Sequence, residues 1–491
     1  MMEFNKMNKL LIAIAVMLAL MCMASIFVYS KDDNADQERY ISPSALAFSP
    51  DGARLYVGGG TDGVLRFLNV KTNRVEKSIK IGNDITGFVL SRDGRLYVTG
   101  TDPQGAVSIV DSLDARIMGV IPTGNGSTSP ILSADEKTLY VCNRFDNNIA
   151  VIDIASRSIL KRINISREPI AAVLDRAGSR LIVANHLPDG PADVDYISSA
   201  IDFIDLKTML PIAKINLPNG STGVRGICIS PNGHYTYITH TLGRYQLPTT
   251  QIQRGWINTN ALSIIDLRTT RILNTVLLDE LDRGAANPWA VACSEDGKWI
   301  IVSIAGTNEL CLIDSDALMN KLLSLPQSSD SGEMTSHDVP DTLTILDGIR
   351  VRIPLTGTGP RALAMRGNAV YAAEYFSDTL SVIDDLSHAS KPRSIALGHK
   401  MKMTTARRGE MLFNDGYSCF QSWQSCASCH PDGRADGLNW DLLNDGMGNS
   451  KNTRSLLLSH QTPPVMVSGI RKNAETAVRS GMKFINFLQR P

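Results

Sequence analysis

A short stretch near the C-terminus brings together side chains that can hold a metal or a metal-containing group. Residues 424–437 read QSCASCHPDGRADG, in which Cys426, Cys429 and His430 form the pattern C-x-x-C-H. Two thiols three positions apart lie on one helical turn, and the imidazole follows directly. This pattern is the attachment signature of c-type haem, with two thioether cysteines and a proximal histidine ligand. We therefore expect one covalent haem c in this chain.

Zinc is the alternative that the same residues leave open. Cys419 together with Cys426, Cys429 and His430 would supply the four ligands of a structural zinc site. The compartment favours haem, because this chain is predicted to be exported and a reduced, cysteine-rich zinc site is less expected outside the cytoplasm. Four further cysteines lie singly in apolar runs and are expected to be buried core thiols: Cys142, Cys228, Cys293 and Cys311.

The prediction of export rests on the first thirty residues. Lys6 and Lys9 precede residues 10–29, LLIAIAVMLALMCMASIFVY, which carry no charge. Twenty apolar residues can span a bilayer as a helix, and no clear A-x-A cleavage site precedes Lys31. Residues 1–30 are therefore expected to be a signal peptide or an N-terminal membrane anchor. The remainder would lie in the periplasm, cell envelope or surface of a bacterium, with membrane contact only through the N-terminal segment.

Composition restricts the remaining function classes. The chain has 491 residues, with 49 basic and 49 acidic side chains, so its formal net charge is zero. A neutral chain gives no reason to expect a nucleic acid as partner. The hydrophobic fraction of 43% is typical of a folded globular chain.

A repeated pattern occupies residues 44–397, after a linker at 31–43. LAFSPDGARLYVGG, FVLSRDGRLYVTG and ACSEDGKWIIVS each read as an apolar strand, a polar turn and a second strand. A third strand follows each hairpin, as in VSIVD or IAVID, and a fourth follows that. Seven such units predict an all-β, seven-bladed propeller. The repeats resemble the YVTN family of propeller repeats, through LYVTG at 96–100 and LYVCN at 139–143.

Two blades carry long loops between their second and third strands. The fourth-blade loop contains His186, and the fifth-blade loop contains His240, Arg244, Arg254 and Trp256. Because strands alternate in direction, these loops open on the face where the chain leaves the last blade, near residue 398. We expect the five side chains to form a face for a partner or substrate. An insertion in blade six, residues 324–342, is expected to be a flexible surface loop.

The composition changes again after a second linker at residues 398–406. Residues 407–491 are expected to form a small, mostly α-helical domain, with a closing helix in NAETAVRSGMKFINFL behind an Asn473 cap. Residues 404–488 resemble the first haem domain of the di-haem cytochrome c peroxidase and methylamine-utilisation maturase superfamily. RRGEMLF, CASCHPDGRADG and NTRSLLLSHQTPPVMVSGIR carry that resemblance.

The resemblance implies thioether links at Cys426 and Cys429 and iron ligation by His430. It transfers no sixth iron ligand, for which four side chains are candidates: Met447, His460, Met466 and Met482. The superfamily's enzymes use two haems, whereas this chain contains a single C-x-x-C-H. We therefore expect the cytochrome domain to be truncated, with a second haem domain absent.

These observations predict an exported c-type haem protein that takes part in electron transfer. A peroxidase-like oxidoreductase, whose propeller binds a redox protein or a small-molecule substrate, is one form of this function. The alternative is a cell-envelope or surface binding propeller in which the haem is accessory. Propellers serve many unrelated chemistries, so the fold does not choose between the two.

Overall fold

A computed structural model of the chain describes residues 39–101, 104–248, 256–329, 332–388, 390–442, 448–466 and 468–488. The chain divides into two units, residues 1–40 and residues 41–491. In the first unit only Arg39 and Tyr40 are described, so the predicted signal or anchor at residues 1–30 lies outside the described residues. Among the residues that are described, no helix is long and apolar enough to cross a bilayer.

Seven four-stranded antiparallel sheets make up most of the described part of the second unit. Blade 1 contains β1 (Pro43–Phe48), β2 (Arg54–Gly59), β3 (Val64–Asn69) and β4 (Arg74–Lys80). Blade 2 contains β5 (Gly87–Leu90), β6 (Arg95–Gly100), β7 (Ala106–Asp111) and β8 (Arg116–Pro122). Blade 3 contains β9 (Ser127–Leu132), β10 (Thr138–Asn143), β11 (Asn148–Asp153) and β12 (Ser158–Asn164). Blade 4 contains β13 (Pro169–Leu174), β14 (Arg180–Asn185), β15 (Ala200–Asp205) and β16 (Leu210–Asn216).

The last three blades follow the same order. Blade 5 contains β17 (Ser221–Ile229), β18 (Tyr235–Gly243), β19 (Asn258–Asp266) and β20 (Arg271–Leu277). Blade 6 contains β21 (Pro288–Cys293), β22 (Trp299–Ile304), β23 (Glu309–Asp314) and β24 (Arg350–Pro354). Blade 7 contains β25 (Pro360–Arg366), β26 (Ala369–Glu374), β27 (Thr379–Ile383) and β28 (Arg393–Ala396). The seven-bladed propeller that the repeats predict is therefore present.

In six of the seven repeats the hairpin turn is stabilised by local side-chain hydrogen bonds. In the first blade Ser49 Oγ donates to Asp51 Oδ1 at 2.6 Å, and the same carboxylate accepts from Ala53 N at 2.9 Å. Gly52 follows in the left-handed region, with a φ of 64°, which glycine adopts at little steric cost. The S-x-D-G motif thus specifies the turn that joins the two inner strands.

The ring closes by packing of the first blade against the last. One apolar cluster contains Leu55 and Val57 from blade 1 together with Leu380, Val382 and Ile395 from blade 7. Each blade is built from one continuous stretch of chain, so no strand is exchanged at the closure. Burial of apolar side chains between neighbouring sheets therefore holds the ring together.

Blade six departs from the sequence-based expectation. Helix α1 (Ser315–Ser324) follows β23, with the Asp314 side chain accepting from Ala317 N at its start. Leu318 and Leu322 of this helix are buried. The prediction of a flexible surface loop at 324–342 is wrong for the C-terminal part of that range. Val339 is completely buried there, in the apolar cluster that also contains Leu318 and Leu322.

Two of the predicted single thiols are neighbours. Cys228 in β17 and Cys293 in β21 face each other across blades 5 and 6, with their Sγ atoms 3.6 Å apart. Cys142 and Cys311 are buried in separate blades, as expected. The expectation that each of these cysteines is a single core thiol is therefore wrong for Cys228 and Cys293, which are 65 residues apart in sequence.

The C-terminal segment begins at residue 398, and its described part lies against one face of the ring. In its described part it contains α2 (Thr405–Asn414), α3 (Cys426–Cys429), α4 (Ala474–Phe484) and the short pair β29 (Asn439–Trp440) and β30 (Lys451–Asn452). Asn473 Oδ1 accepts from Thr476 N at 2.9 Å and caps α4, at the cap predicted. Loops and single 3-10 turns connect these elements, so the segment contains less helix than the sequence suggests.

Candidate functional site

The two candidate thioether cysteines lie on a single capped helical turn. Ser425 Oγ accepts from Ala427 N at 3.1 Å, and Ser428 Oγ accepts from Ser425 N at 3.1 Å, which together cap the start of α3. Cys426 and Cys429 occupy the first and last positions of this turn and share a face. The sequence S-C-A-S-C thus encodes both the turn and the reactive groups on it.

His430 leaves the helix with its ring oriented by the backbone. Its Nδ1 lies 3.2 Å from the carbonyl oxygen of Arg434, so this nitrogen donates a proton and Nε2 is the nitrogen that can bind a metal. Burial lowers the pKa of His430, and the carbonyls of Arg434 and Arg454 offset that only in part. A neutral imidazole held by a carbonyl at Nδ1 is the form that ligates iron.

The surroundings of the thiols are apolar. Cys429 packs against a cluster that includes Ile257, Leu438 and Trp440, and its Sγ accepts from Asn258 Nδ2 at 3.3 Å. Burial raises the pKa of Cys419 to about 12 and also raises the pKa values of Cys426 and Cys429. These apolar surroundings therefore favour the neutral form of the three thiols.

The four candidate zinc ligands do not converge. Within the described ranges, no three histidine, cysteine or carboxylate side chains are grouped closely enough to hold a metal ion. Cys419 Sγ instead donates to the carbonyl oxygen of Phe420, 3.5 Å away. In this structure, therefore, Cys419 does not join Cys426, Cys429 and His430 in one ligand cluster.

The candidate sixth ligands are spread over the C-terminal segment. His460 is exposed in a 3-10 turn, Met466 is 43% exposed, and Met482 is half-buried on α4. Met447 lies outside the described residues. The turn that carries His460 lies against α4. The sixth ligand stays a prediction with these candidates.

An ion-pair network fixes the loop after His430 to the propeller. Asp432 Oδ1 lies 2.7 Å from Arg225 Nη2, and Asp432 Oδ2 lies 2.5 Å from Arg144 Nη2. Burial acts to raise the pKa of Asp432, but the two guanidinium groups hold it well below its usual value. Asp432 adopts a φ of 53°, a strained conformation that these contacts support.

His186 lies at this junction, where it is completely buried. Its Nδ1 donates to the carbonyl oxygen of Val224 at 2.8 Å, and its Nε2 lies 3.4 Å from Asp432 Oδ2. Burial, with the charges of Arg225 and Arg144, lowers the pKa of His186 to about 4. The histidine predicted on an open face therefore lies inside the contact between propeller and segment, in its neutral form.

The fifth-blade residues predicted to form the partner or substrate face lie in different environments. His240 is completely buried, with Nε2 2.8 Å from Ser263 Oγ, so it does not lie on the predicted face. Arg244 donates to the carbonyl of Pro340 at 2.8 Å and pairs with Asp341 of the blade-six insertion. Trp256 packs edge-on against Trp423 of the segment, with ring centroids 5.3 Å apart. Arg254 lies outside the described residues.

Backbone and amide groups complete the contact between propeller and segment. Asn258 donates to Gln424 Oε1 and Asn260 donates to the Trp423 carbonyl, both at 2.8 Å. Asn287 Nδ2 donates to Ser425 Oγ at 2.8 Å and so reaches the cap of the cysteine-bearing turn. These contacts place the segment against blades 5 and 6 of the propeller.

Several residues of this junction were missed by the sequence analysis. Arg144, Glu168, Arg225, Asp432 and Arg434 form its charged centre. Their positions gave little signal: Arg144 directly follows β10, Glu168 directly precedes β13 and Arg225 lies within β17. Their partners are up to 288 residues away along the chain.

The fold and the junction define a class: a seven-bladed propeller protein with a C-x-x-C-H segment seated on one face. No family model matches the chain. Hydrazine synthase subunit beta of Kuenenia stuttgartiensis is 28% identical over 192 residues, which are 39% of this chain and 48% of that subunit. Hydrazine synthase subunit gamma of the same organism is 36% identical over 78 residues, which are 16% of this chain and 22% of that subunit.

Each match covers half or less of the curated relative's own length. A solved chain of Kuenenia stuttgartiensis hydrazine synthase superimposes with a TM-score of 0.64 and 24% identity, covering 72% of this chain and 99% of that chain. That likeness shows the propeller fold. The chain is thus similar to subunits of hydrazine synthase in sequence over part of its length.

Proposed function

We propose that residues Cys426, Cys429 and His430 hold one covalent haem c, and that the protein takes part in electron transfer outside the cytoplasm. The single observation that carries this proposal is the capped turn that presents both thiols, followed by an imidazole whose Nδ1 is held by the Arg434 carbonyl. When bound, the haem iron would supply a one-electron redox couple.

The residues of this chain would hold, orient and shield that group. The two thiols on α3 would hold it covalently, and His430 Nε2 would bind its iron. Leu438 and Trp440 are buried beside Cys429 and keep water from this side. Asp432, bound to Arg225 and Arg144, fixes the loop after the histidine to the propeller. The propeller therefore acts as the rigid support for the haem ligands.

We further propose that the chain works within a complex of several proteins. The relatives in the comparison are named as two different subunits, beta and gamma, of one synthase. The described part of the segment also exposes apolar side chains that a partner would cover: Leu457, Leu458, Ile470, Val478 and Phe484. We propose a redox protein as this partner. The alternative function, a binding propeller with an accessory haem, would need no such partner.

We propose a peroxidase-like reaction as the specific form of this electron transfer, because residues 404–488 resemble the di-haem peroxidases. Turnover of hydrogen peroxide by the haem-loaded chain, alone and with its partner complex, tests it.

The proposal of export rests on the uncharged stretch at residues 10–29 after Lys6 and Lys9. It also rests on the fact that covalent haem attachment takes place outside the cytoplasm.

Haem attachment is tested by expression of the full chain with a c-type cytochrome maturation system. We expect haem staining that survives denaturing electrophoresis and a thioether-type pyridine haemochrome spectrum. Cys426→Ala or Cys429→Ala should weaken or abolish the stain. Cys419→Ala is the matched control and should retain it, because this third thiol bonds to a neighbouring carbonyl. An unstained wild-type protein that contains zinc would overturn the proposal.

A further inference from the structure

Three residues of successive blades face one another at the mouth of the central channel, beneath the C-terminal segment. Arg225, Trp289 and Arg361 lie in the first strands of blades 5, 6 and 7, which are β17, β21 and β25. The Cζ atoms of Arg225 and Arg361 lie 4.1 and 4.3 Å from the centre of the Trp289 ring. Two guanidinium groups therefore share one indole at this position.

The two arginines differ in their partners. Arg225 is paired with Asp432. Arg361 has no carboxylate within 4.0 Å and no hydrogen-bond acceptor among the described residues, and its Nε is buried. A guanidinium N–H that is buried without an acceptor is unfavourable, so an added acceptor at Arg361 would be favourable. Arg361 can therefore bind an added hydrogen-bond acceptor.

Aromatic rings restrict how Arg361 can be reached. Tyr375 lies 3.8 Å and Phe376 5.1 Å from its Cζ, in addition to Trp289. Rings that pack on the flat faces of a guanidinium leave its N–H edge as the open direction. That edge matches two coplanar oxygens, the geometry of a carboxylate.

The local charge also favours an anion. Six guanidinium groups of the described chain belong to this network of ion pairs and ring contacts: Arg144, Arg167, Arg225, Arg361, Arg407 and Arg434. Three carboxylates oppose them: Glu168, Glu410 and Asp432. Positive groups exceed negative groups by three, and the neutral His186 does not change this balance.

We propose that the channel mouth is a binding site for a carboxylate group, held by the N–H edge of Arg361 between Trp289 and Tyr375. This site is separate from the thiols and imidazole of the segment, and the proposal does not depend on haem attachment. Two sources present the same chemistry: a small free carboxylate ion, and a propionate of a haem held by the overlying segment. The experiment separates these sources.

The test uses the full chain, both without haem and haem-loaded, with sodium acetate as the probe and sodium chloride at equal ionic strength as the reference. We expect acetate to raise the melting temperature of the unloaded wild-type chain above the chloride reference. Arg361→Gln should lose this difference. Arg393→Gln, in the outer strand of the same blade, is the matched control and should keep it, because Arg393 pairs with Asp384 at the surface.

The haem-loaded chain identifies the source. If loaded wild-type protein still responds to acetate, the site takes a free carboxylate. If loading removes the response and Arg361→Gln shifts the haem potential, a propionate occupies it. Absence of any acetate response in unloaded wild-type protein, together with an unchanged haem potential in Arg361→Gln, overturns the proposal. If Arg361→Gln does not fold, Arg361→Lys replaces it in the test. Lysine keeps the positive charge but cannot bind a carboxylate in a bidentate way. Full retention of the acetate response by Arg361→Lys would also overturn the proposal.

Discussion

Glu168 of the propeller and Arg434 of the C-terminal segment form a bidentate ion pair. Arg434 Nη1 and Nη2 donate to Glu168 Oε1 and Oε2 at 2.7 and 2.6 Å. The carbonyl of the same Arg434 accepts from His430 Nδ1. A carboxylate of blade 4 therefore fixes the backbone group that orients the candidate proximal histidine.

Glu168→Gln is predicted to change the environment of a bound haem without preventing its attachment. The variant removes one negative charge near the iron, and a more positive surrounding favours the reduced state. We expect the reduction potential of the loaded chain to rise, on the order of tens of millivolts. Redox titration of wild-type and variant proteins measures this shift, and haem staining should be equal in both.

Glu76→Gln is the control for that experiment, because Glu76 is exposed on the outer strand of blade 1. Its potential should match that of the wild type. A Glu168→Gln protein with an unchanged potential and an unchanged haem spectrum would show that the ion pair does not act on the histidine. Failure of wild-type staining would instead count against haem attachment itself.

The local elements were predictable because their signals are local. The S-P-D-G turn at Ser49–Gly52 and the cap at Asn473 each involve residues within four positions of one another. The network at Asp432 was not predictable, because a charged residue in a loop does not show which distant loop faces it. Helix α1 was missed although its Asp314 cap and the spacing of its buried leucines were visible.

Gly284→Ala is predicted to weaken the contact between propeller and segment. A Cβ at this position would lie 2.4 Å from the carbonyl oxygen of Ser422 and from Cα of Trp423, so the backbones would have to separate. We expect faster proteolysis in the linker at residues 398–406. Gly409→Ala is the matched control, since nothing lies within 4 Å of its Cβ and alanine favours the α2 helix by about 1 kcal/mol. Equal cleavage rates of the two variants would contradict the prediction.

Arg407→Met is predicted to lower the free energy of unfolding by about 3 kcal/mol, since hydrogen bonds to charged groups contribute about 1.5–3 kcal/mol each. Arg407 is 4% exposed and donates to Ser42 Oγ and the Tyr375 carbonyl, both at 2.7 Å. These acceptors belong to the two ends of the ring. Urea denaturation measures the change. Arg408→Met, at the exposed neighbouring position on α2, should change stability little, and equal losses in both variants would argue against this role.

His240 is predicted to make the propeller less stable in acid. Burial lowers the pKa of His240 to about 4, whereas an unfolded histidine titrates near 6.5. Between these values the unfolded chain binds more protons, so stability falls as the pH falls from 6.5 towards 4, by up to about 3 kcal/mol. His240→Gln should be less stable at pH 7, because the bond to Ser263 is altered, but its stability should depend less on pH over this range. Urea denaturation at several pH values compares the slopes, with the exposed His234→Gln of the same blade as control. A His240→Gln slope as steep as that of the wild type would show that this buried imidazole is not the group that responds to acid.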